Sequence, residues 1–231
     1  MPSKFARQWL FLLDLYEGIQ FMSSALRFVV KNLSQGYGDL LLFSNLSFTV
    51  GSGAAMVVTG DNGTGKSTLL RTLAGLSPPK AGTVRLEGGA VDATIAEQCH
   101  LVGPLNAIKL ELTIRENLSA WADVLGPGEG ASVDEALEQF GLDRFADMRA
   151  EVLSTGWRRR LALARVLVAE RPLWLLDEPT AALDVASSRM VADMIRDHLA
   201  VGGLAVIATH LDLGIDGVQT MELLSPAAVA G

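Results

Sequence analysis

Residues Gly60-Asp61-Asn62-Gly63-Thr64-Gly65-Lys66-Ser67 follow the spacing G-x-x-x-x-G-K-[ST], and Thr68 comes next. That pattern suits a polyphosphate. Glycines let the backbone curl until successive N–H groups point inward around an anion. A helix opening directly behind such a loop adds partial positive charge where the anion sits. Lys66 is expected to reach the β- and γ-phosphates, and Ser67 to ligate Mg2+. Residues 60–68 together are the expected nucleotide contacts. The flanks have the required character, an apolar strand over 54–59 before the loop and a helical run over 67–73 after it.

A second constellation lies downstream. Leu173-Trp174-Leu175-Leu176-Asp177-Glu178 reads as a buried strand ending in two acids. Carboxylates are costly at such a place unless a cation or a proton relay uses them. Asp177 is expected in the Mg2+ shell, and Glu178 is expected to orient or deprotonate the water that attacks the γ-phosphate. The plainer alternative is a turn before Pro179. Taken together, the two motifs indicate a P-loop NTPase.

The elements that must position these groups read as alternating β and α. Strands are expected over 26–32, 45–50, 54–59, 82–87, 99–103, 172–177, 203–209 and 218–223, and helices over 66–75, 113–124, 132–141, 157–170 and 185–199. Thr113-Ile-Arg-Glu116 and Ser132-Val-Asp-Glu135 are capping boxes, and Gly126-Pro127-Gly128 ends the first of these helices. Strands come first, then a helix cluster over about 104–152, then strand–helix–strand. That order predicts an α/β core with an inserted helical lobe.

Composition agrees. The chain has 231 residues, enough for one domain, and 49% of them are hydrophobic while only 6% are aromatic. Aliphatic richness suits a parallel sheet covered on both faces. A single cysteine, Cys99, excludes an internal disulfide framework and every multi-cysteine zinc site. The net charge of −7 argues against nucleic acid as a partner. The longest uncharged run, Leu40 to Gly60, carries too many polar residues and glycines for a membrane span and reads as two strands and a turn. The apolar run over 9–13 is too short to span, and no cleavage pattern comes after it. Residues 1–21 do not resemble the rest of the chain. They read either as an over-called start ahead of Met22 or as an amphipathic helix, with the domain itself over 22–231.

Further motifs narrow the class. Leu153-Ser154-Thr155-Gly156-Trp157, 24 residues ahead of Asp177, resembles the Leu-Ser-Gly-Gly-Gln signature of ATP-binding-cassette (ABC) ATPases. Ala182-Leu183-Asp184 is similar to that family's D-loop. His210 stands where its switch histidine stands, and Tyr37 where its adenine-stacking aromatic is expected. The resemblance covers about residues 26–223. It implies a P-loop core with a mainly parallel sheet, an antiparallel β subdomain and a helical lobe. It implies ATP as substrate, Mg2+ as cofactor, and hydrolysis coupled to transport.

It also implies a second nucleotide-binding subunit docked head to tail. Ser154 and the N–H groups at Gly156 would then lid the partner's nucleotide. Docking on an integral membrane permease, through loop 103–112 with Leu110 and Leu112, would place the chain at the cytoplasmic face of the bacterial inner membrane. Gly103-Pro-Leu-Asn-Ala-Ile-Lys109 and Leu112-Thr-Ile-Arg-Glu-Asn-Leu118 further resemble the haem-exporter subfamily of cytochrome c biogenesis.

The chain departs from the family pattern at three places. Pro104 occupies the Q-loop position and has no N–H and no ligating side chain; Gln98 and Asn106 are the nearby candidates to replace it. Trp157 replaces the signature glutamine, and Thr155 replaces a glycine. Three alternatives stand beside the haem-exporter subunit: an ABC ATPase for another substrate, a soluble non-transport cassette and, given Pro104 and Trp157, a nucleotide-binding scaffold with little turnover. Arg158-Arg159-Arg160 is expected to form a solvated face with carboxylate partners. Cys99 and His100, adjacent on a strand, are expected to point to opposite faces.

Overall fold

The computed structural model describes residues 26–126 and 130–224. The N-terminal stretch 1–21 and the Met22 start lie outside the described residues, as do Pro127 and Gly128. Eight strands and five α-helices are described: β1 Arg27–Tyr37, β2 Leu40–Gly51, β3 Ala55–Thr59, α1 Lys66–Leu73, β4 Ala81–Glu87, β5 Cys99–Val102, α2 Ile114–Leu125, α3 Val133–Gln139, α4 Thr155–Ala164, β6 Leu173–Asp177, α5 Val185–Ala200, β7 Leu204–Ala208 and β8 Gln219–Glu222.

Strands β5, β6, β7, β3 and β8 lie side by side in that order, and every pairing among them is parallel. Their sequences explain why. Leu173, Leu175, Leu204 and Val206 bury one face of the sheet, and Trp174, Leu176, Ala205 and Ile207 bury the other. A strand apolar on both faces needs a cover on each side, which parallel crossovers supply. One cover is α1 with a separate antiparallel sheet, ordered β2-β1-β4. The other is α4, α5 and the helical lobe. Cys99 packs into the first core, while His100, next in the strand, is buried beneath Ala169, with its Nε2 paired to that residue's carbonyl at 2.6 Å. The expected opposition of these two side chains is what the strand shows.

Strands β1 and β2 run further than their alternation suggested. Asn32 and Asn45 take left-handed backbone angles (φ 50 and 54) and break the apolar period with bulges. Side chains fill the lost ladder bonds. The Asn32 N–H donates to Ser47 Oγ at 2.9 Å and the Asn45 N–H to Ser34 Oγ at 3.0 Å. Pairing therefore continues to the tight hairpin beyond Tyr37.

Helix α4 also differs, starting at Thr155 instead of 157 and ending at Ala164 instead of 170. Val166 and Leu167 tighten onto the carbonyls three residues back, and the Leu167 carbonyl is then taken by the Ala131 N–H at 2.8 Å. The chain at Gly130 lies so close over residues 167–169 that a Cβ there would collide with backbone. The neighbouring stretch of chain thus satisfies the carbonyls that a longer helix would have used.

Both capping boxes are formed, with Thr113 and Glu116 opening α2 and Ser132 and Glu135 opening α3. The lobe is closed at its base by short pairing of 110–115 with 146–151, in which the Ile114 N–H meets the Met148 carbonyl at 3.0 Å and the Ala150 N–H the Leu112 carbonyl at 2.9 Å. No described helix is long and apolar enough to cross a membrane.

Candidate nucleotide site

The parallel sheet brings the carboxyl ends of β3, β6 and β7 to one edge, and α1 packs against β6 and β7 behind it. The loop 60–65 connects β3 to α1 across this edge. Gly60, Gly63 and Gly65 all have left-handed backbone angles, φ 129, 86 and 103. At Gly60 a Cβ would strike the Leu223 carbonyl, and at Gly65 it would stand 3.2 Å from the Leu42 side chain. Glycine is thus required twice, by conformation and by approach. Helix α1 opens on Gly65 with no side-chain cap and no acid in its first turn. Its first N–H groups are left for an anion, which the helix dipole favours.

Lys66 is buried along its stem, and its ammonium curls over the loop. Nζ donates to the carbonyls of Gly60 and, at 3.0 Å, Asp61, and lies 3.0 Å from His210 Nε2. The same His210 nitrogen is 3.8 Å from Glu178 Oε1. Glu178 Oε2 accepts from Thr209 Oγ1 at 3.2 Å, and the Glu178 N–H donates to the Ala208 carbonyl at 2.8 Å. Three residues far apart in sequence, Lys66, Glu178 and His210, therefore converge at the sheet edge. Glu178 itself sits at φ 44, a left-handed angle that is uncommon for a residue with a side chain.

Asp177, one residue back, is 4% exposed and lies in the field of the buried Arg159 guanidinium. A carboxylate at this sheet edge is an oxygen donor of the kind a hard cation takes. No cluster of three or more His, Cys, Asp or Glu able to hold a metal occurs among the described residues. Ser67 in the first turn of α1 and Asp177 at the end of β6 offer one hydroxyl and one carboxylate, oxygen donors of the kind Mg2+ takes.

Residues 43–181 match the family model "ABC transporter". The chain is 52% identical over 179 residues to the cytochrome c biogenesis ATP-binding export protein CcmA of Bradyrhizobium diazoefficiens, covering 78% of this chain and 89% of that one. The fold matches the ATP-binding subunit of an ABC transporter with a TM-score of 0.75 at 25% identity, covering 85% of each chain. It also matches a dimeric, post-hydrolysis ATP-binding cassette bound to ADP and Pi, with a TM-score of 0.71 at 23% identity over 85% of this chain and 94% of that one. The chain belongs to the ABC transporter family as an ATPase of the CcmA type.

The remaining residues expected from the ABC ATPase resemblance lie at the starts of α4 and α5 and on the β1–β2 hairpin. Ser154 is the N-cap of α4, its Oγ accepting from the Trp157 N–H at a long 3.5 Å. Gly156 faces the D-loop, and a Cβ there would be 3.0 Å from the Ala182 carbonyl. No hydrogen bond or ion pair joins residues 154–156 to residues 60–68 among the described residues. Asp184 caps α5, with Oδ1 accepting from the Ser187 N–H at 2.7 Å. Tyr37 is 67% exposed at the hairpin, whose residues Leu42 and Phe43 lie over Gly65. The hairpin is thus beside the loop, with the phenol ring open.

Two sequence expectations need correction. Gln98 cannot stand in for a Q-loop glutamine, because its amide is spent inward, accepting from the Ala90 N–H and donating to the Ala93 and Thr94 carbonyls. Arg159 is not on a solvated face. It is 4% exposed and turned into the sheet edge, where it bonds carbonyls instead of carboxylates. Arg160 does lie near a carboxylate, Asp184 at 3.8 Å, and over the Trp157 ring at 4.3 Å, so the replaced signature residue packs within its own chain against Arg160 and Phe145. Sequence reasoning passed over Leu105, which is 84% exposed on the loop after β5.

Proposed function

We propose that this chain is the ATP-hydrolysing subunit of a cytochrome c biogenesis haem-export complex. The observation that carries the catalytic reading is the convergence of Lys66, Glu178 and His210 on one point above an uncapped helix start. The N–H groups of residues 61–68 cradle the phosphates of ATP, with Gly60, Asp61, Asn62, Gly63, Thr64, Gly65 and Thr68 shaping the loop. Lys66 swings from its carbonyl contacts to the β- and γ-phosphates. Ser67 and Asp177 would hold Mg2+, whose charge offsets that developing on the phosphates. Glu178 orients the attacking water and accepts its proton. His210, adjacent to both Lys66 and Glu178, contacts the γ-phosphate and reports its loss. Tyr37 stacks on the adenine.

A second copy docks head to tail, so that Ser154 and the N–H groups near Gly156 close over its nucleotide, in keeping with the dimeric state of the structurally similar cassette. Residues 22–231 act as the nucleotide-binding domain, with 1–21 as an extension. Leu105, Leu110 and Leu112 meet a membrane permease of the CcmB or CcmC kind, which holds the chain peripherally at the cytoplasmic face of the inner membrane. The haem-export assignment rests on the CcmA relatives at 45–52% identity.

The test is Glu178→Gln in the full chain. With MgATP it is expected to lose turnover and to accumulate as a dimer on light scattering. Retained turnover would overturn the role of Glu178. For the cellular reading, a strain carrying only Lys66→Ala is expected to lack mature c-type cytochromes, and normal cytochrome levels would overturn it.

A further inference from the structure

Arg159 makes more buried bonds than its position one turn into α4 would suggest. Nη2 donates to the carbonyls of Asp177 at 2.6 Å and Glu178 at 2.9 Å, and Nε donates to the Pro179 carbonyl at 3.3 Å. Nη1 turns the other way, to the Gly103 carbonyl at 2.7 Å and Asn106 Oδ1 at 3.3 Å. One planar fork therefore spans two segments. One is the backbone that holds Glu178 at its left-handed angle. The other is the loop after β5, which carries the exposed Leu105.

Pro104 has no donor for this bridge, Gln98 is spent elsewhere, and Asn106 enters it only as an acceptor from Arg159. A guanidinium is suited to the task because its five N–H groups are fixed in one plane, so the two segments cannot move independently without breaking a buried bond. Burial lowers its pKa, while the nearby carboxylates of Asp177 and Glu178 act to raise it, so the fork sits in their field as well.

We propose that Arg159 is a positioning residue that ties loop 103–106 to the strand end bearing Glu178, so that displacement of the loop and alignment of the carboxylate are one event. It takes over a link for which position 104 has no polar side chain. The inference rests on Glu178 being the group that acts on the attacking water.

The experiment compares Arg159→Lys and Arg159→Met in the full chain with MgATP. Lysine keeps the charge but satisfies at most one of the two segments; methionine keeps only bulk. We expect kcat to fall about tenfold for lysine and about a hundredfold for methionine, with KM within about threefold, since misplacement by about 1 Å costs that much. A thermal melt establishes that each variant is folded. If the methionine variant does not fold, the lysine variant decides. A folded lysine variant with wild-type kcat, or one whose KM rises as much as kcat falls, overturns the positioning role.

A second readout tracks the loop. An environment-sensitive fluorophore is attached at Leu105→Cys; the native Cys99 is buried, which pushes its thiol up to about 12, so labelling goes to position 105. MgATP is expected to shift the emission with Arg159 present and not with Arg159→Lys. Equal shifts in both backgrounds, or none in either, overturn the link. The Glu178→Gln control separates the failures. If it keeps turnover, the site reading is wrong. If it loses turnover while Arg159→Lys is unaffected, only the role given to Arg159 is wrong.

Discussion

The carboxyl edge of the parallel sheet and the layer beneath it treat polar groups in opposite ways. At the edge, α1 starts with no cap, and His210 stands half-exposed between an ammonium and a carboxylate. In the layer beneath, α2 and α3 start with complete capping boxes. There His100 Nε2 pairs with the Ala169 carbonyl at 2.6 Å, and His198, stacked 3.9 Å from Trp174, pairs with the Leu204 carbonyl at 3.2 Å. Histidine and carboxylate appear in both places, whereas the helix at the edge opens on Gly65 and those of the layer on Thr113 and Ser132. An uncapped helix start behind a glycine loop marks where an anion is expected, and complete caps and paired buried rings mark where the chain serves its own fold. If that is right, changes at the edge should alter ATP handling with little effect on melting, and changes in the layer should do the reverse.

The largest effect is expected at the edge. Lys66→Ala should weaken ATP binding at least a hundredfold, about 3 kcal/mol. Its melting temperature without nucleotide should stay within a few degrees of wild type, because Lys66 bonds only carbonyls of the loop it covers and the half-exposed ring of His210. Titration with a fluorescent ATP analogue beside a thermal melt checks both. A large fall in melting temperature would erase the distinction between the regions.

The layer should answer to acid instead. Burial lowers both His100 and His198 to about 4, against an ordinary value of 6.5. Both rings are therefore neutral in the fold, while the unfolded chain takes up protons below pH 6.5. Stability from this source is complete above pH 6.5 and falls as pH drops toward 4, by about 3 kcal/mol per ring at most. Denaturant melts from pH 7 to 4.5 should show the slope, and His198→Phe, which keeps a ring against Trp174, should remove about half of it. An unchanged slope would show that His198 is already solvated or charged.

A smaller effect separates the caps. Thr113→Ala removes one side of the box at α2 and should cost about 1 kcal/mol, with KM for ATP unchanged. For a chain of this size that is a fall of about 2–4 °C in melting temperature.

Legibility in the sequence divides along the same line. The phosphate loop and the Asp177-Glu178 pair were legible because their chemistry is written in adjacent residues, and the capping boxes because their spacing is fixed by one helical turn. Strand identity was legible because Leu173 to Leu176 are apolar on both faces. Arg159 was not legible. Its partners lie at 103, 106 and 177–179, and three successive arginines give no sign of which one turns inward. The bulges at Asn32 and Asn45 were hidden for a related reason, since the serines that repair them come from the opposite strand. Contacts set by convergence of distant segments leave no local period to read.

Ser154 gives the finest test, because it looks like a layer residue and is proposed to act as an edge residue. It caps α4 as Thr113 caps α2, but its Oγ is 3.5 Å from the Trp157 N–H, against 3.1 Å from Thr113 Oγ to the Glu116 N–H, and no glutamate returns to it. A cap that long contributes little, so Ser154→Ala should change stability by less than about 0.5 kcal/mol. If Ser154 instead reserves its hydroxyl for the nucleotide of a second copy, the same substitution made in Glu178→Gln should abolish the ATP-dependent dimer on light scattering. A dimer that persists, together with a loss of stability near that of Thr113→Ala, would move Ser154 from the edge into the layer.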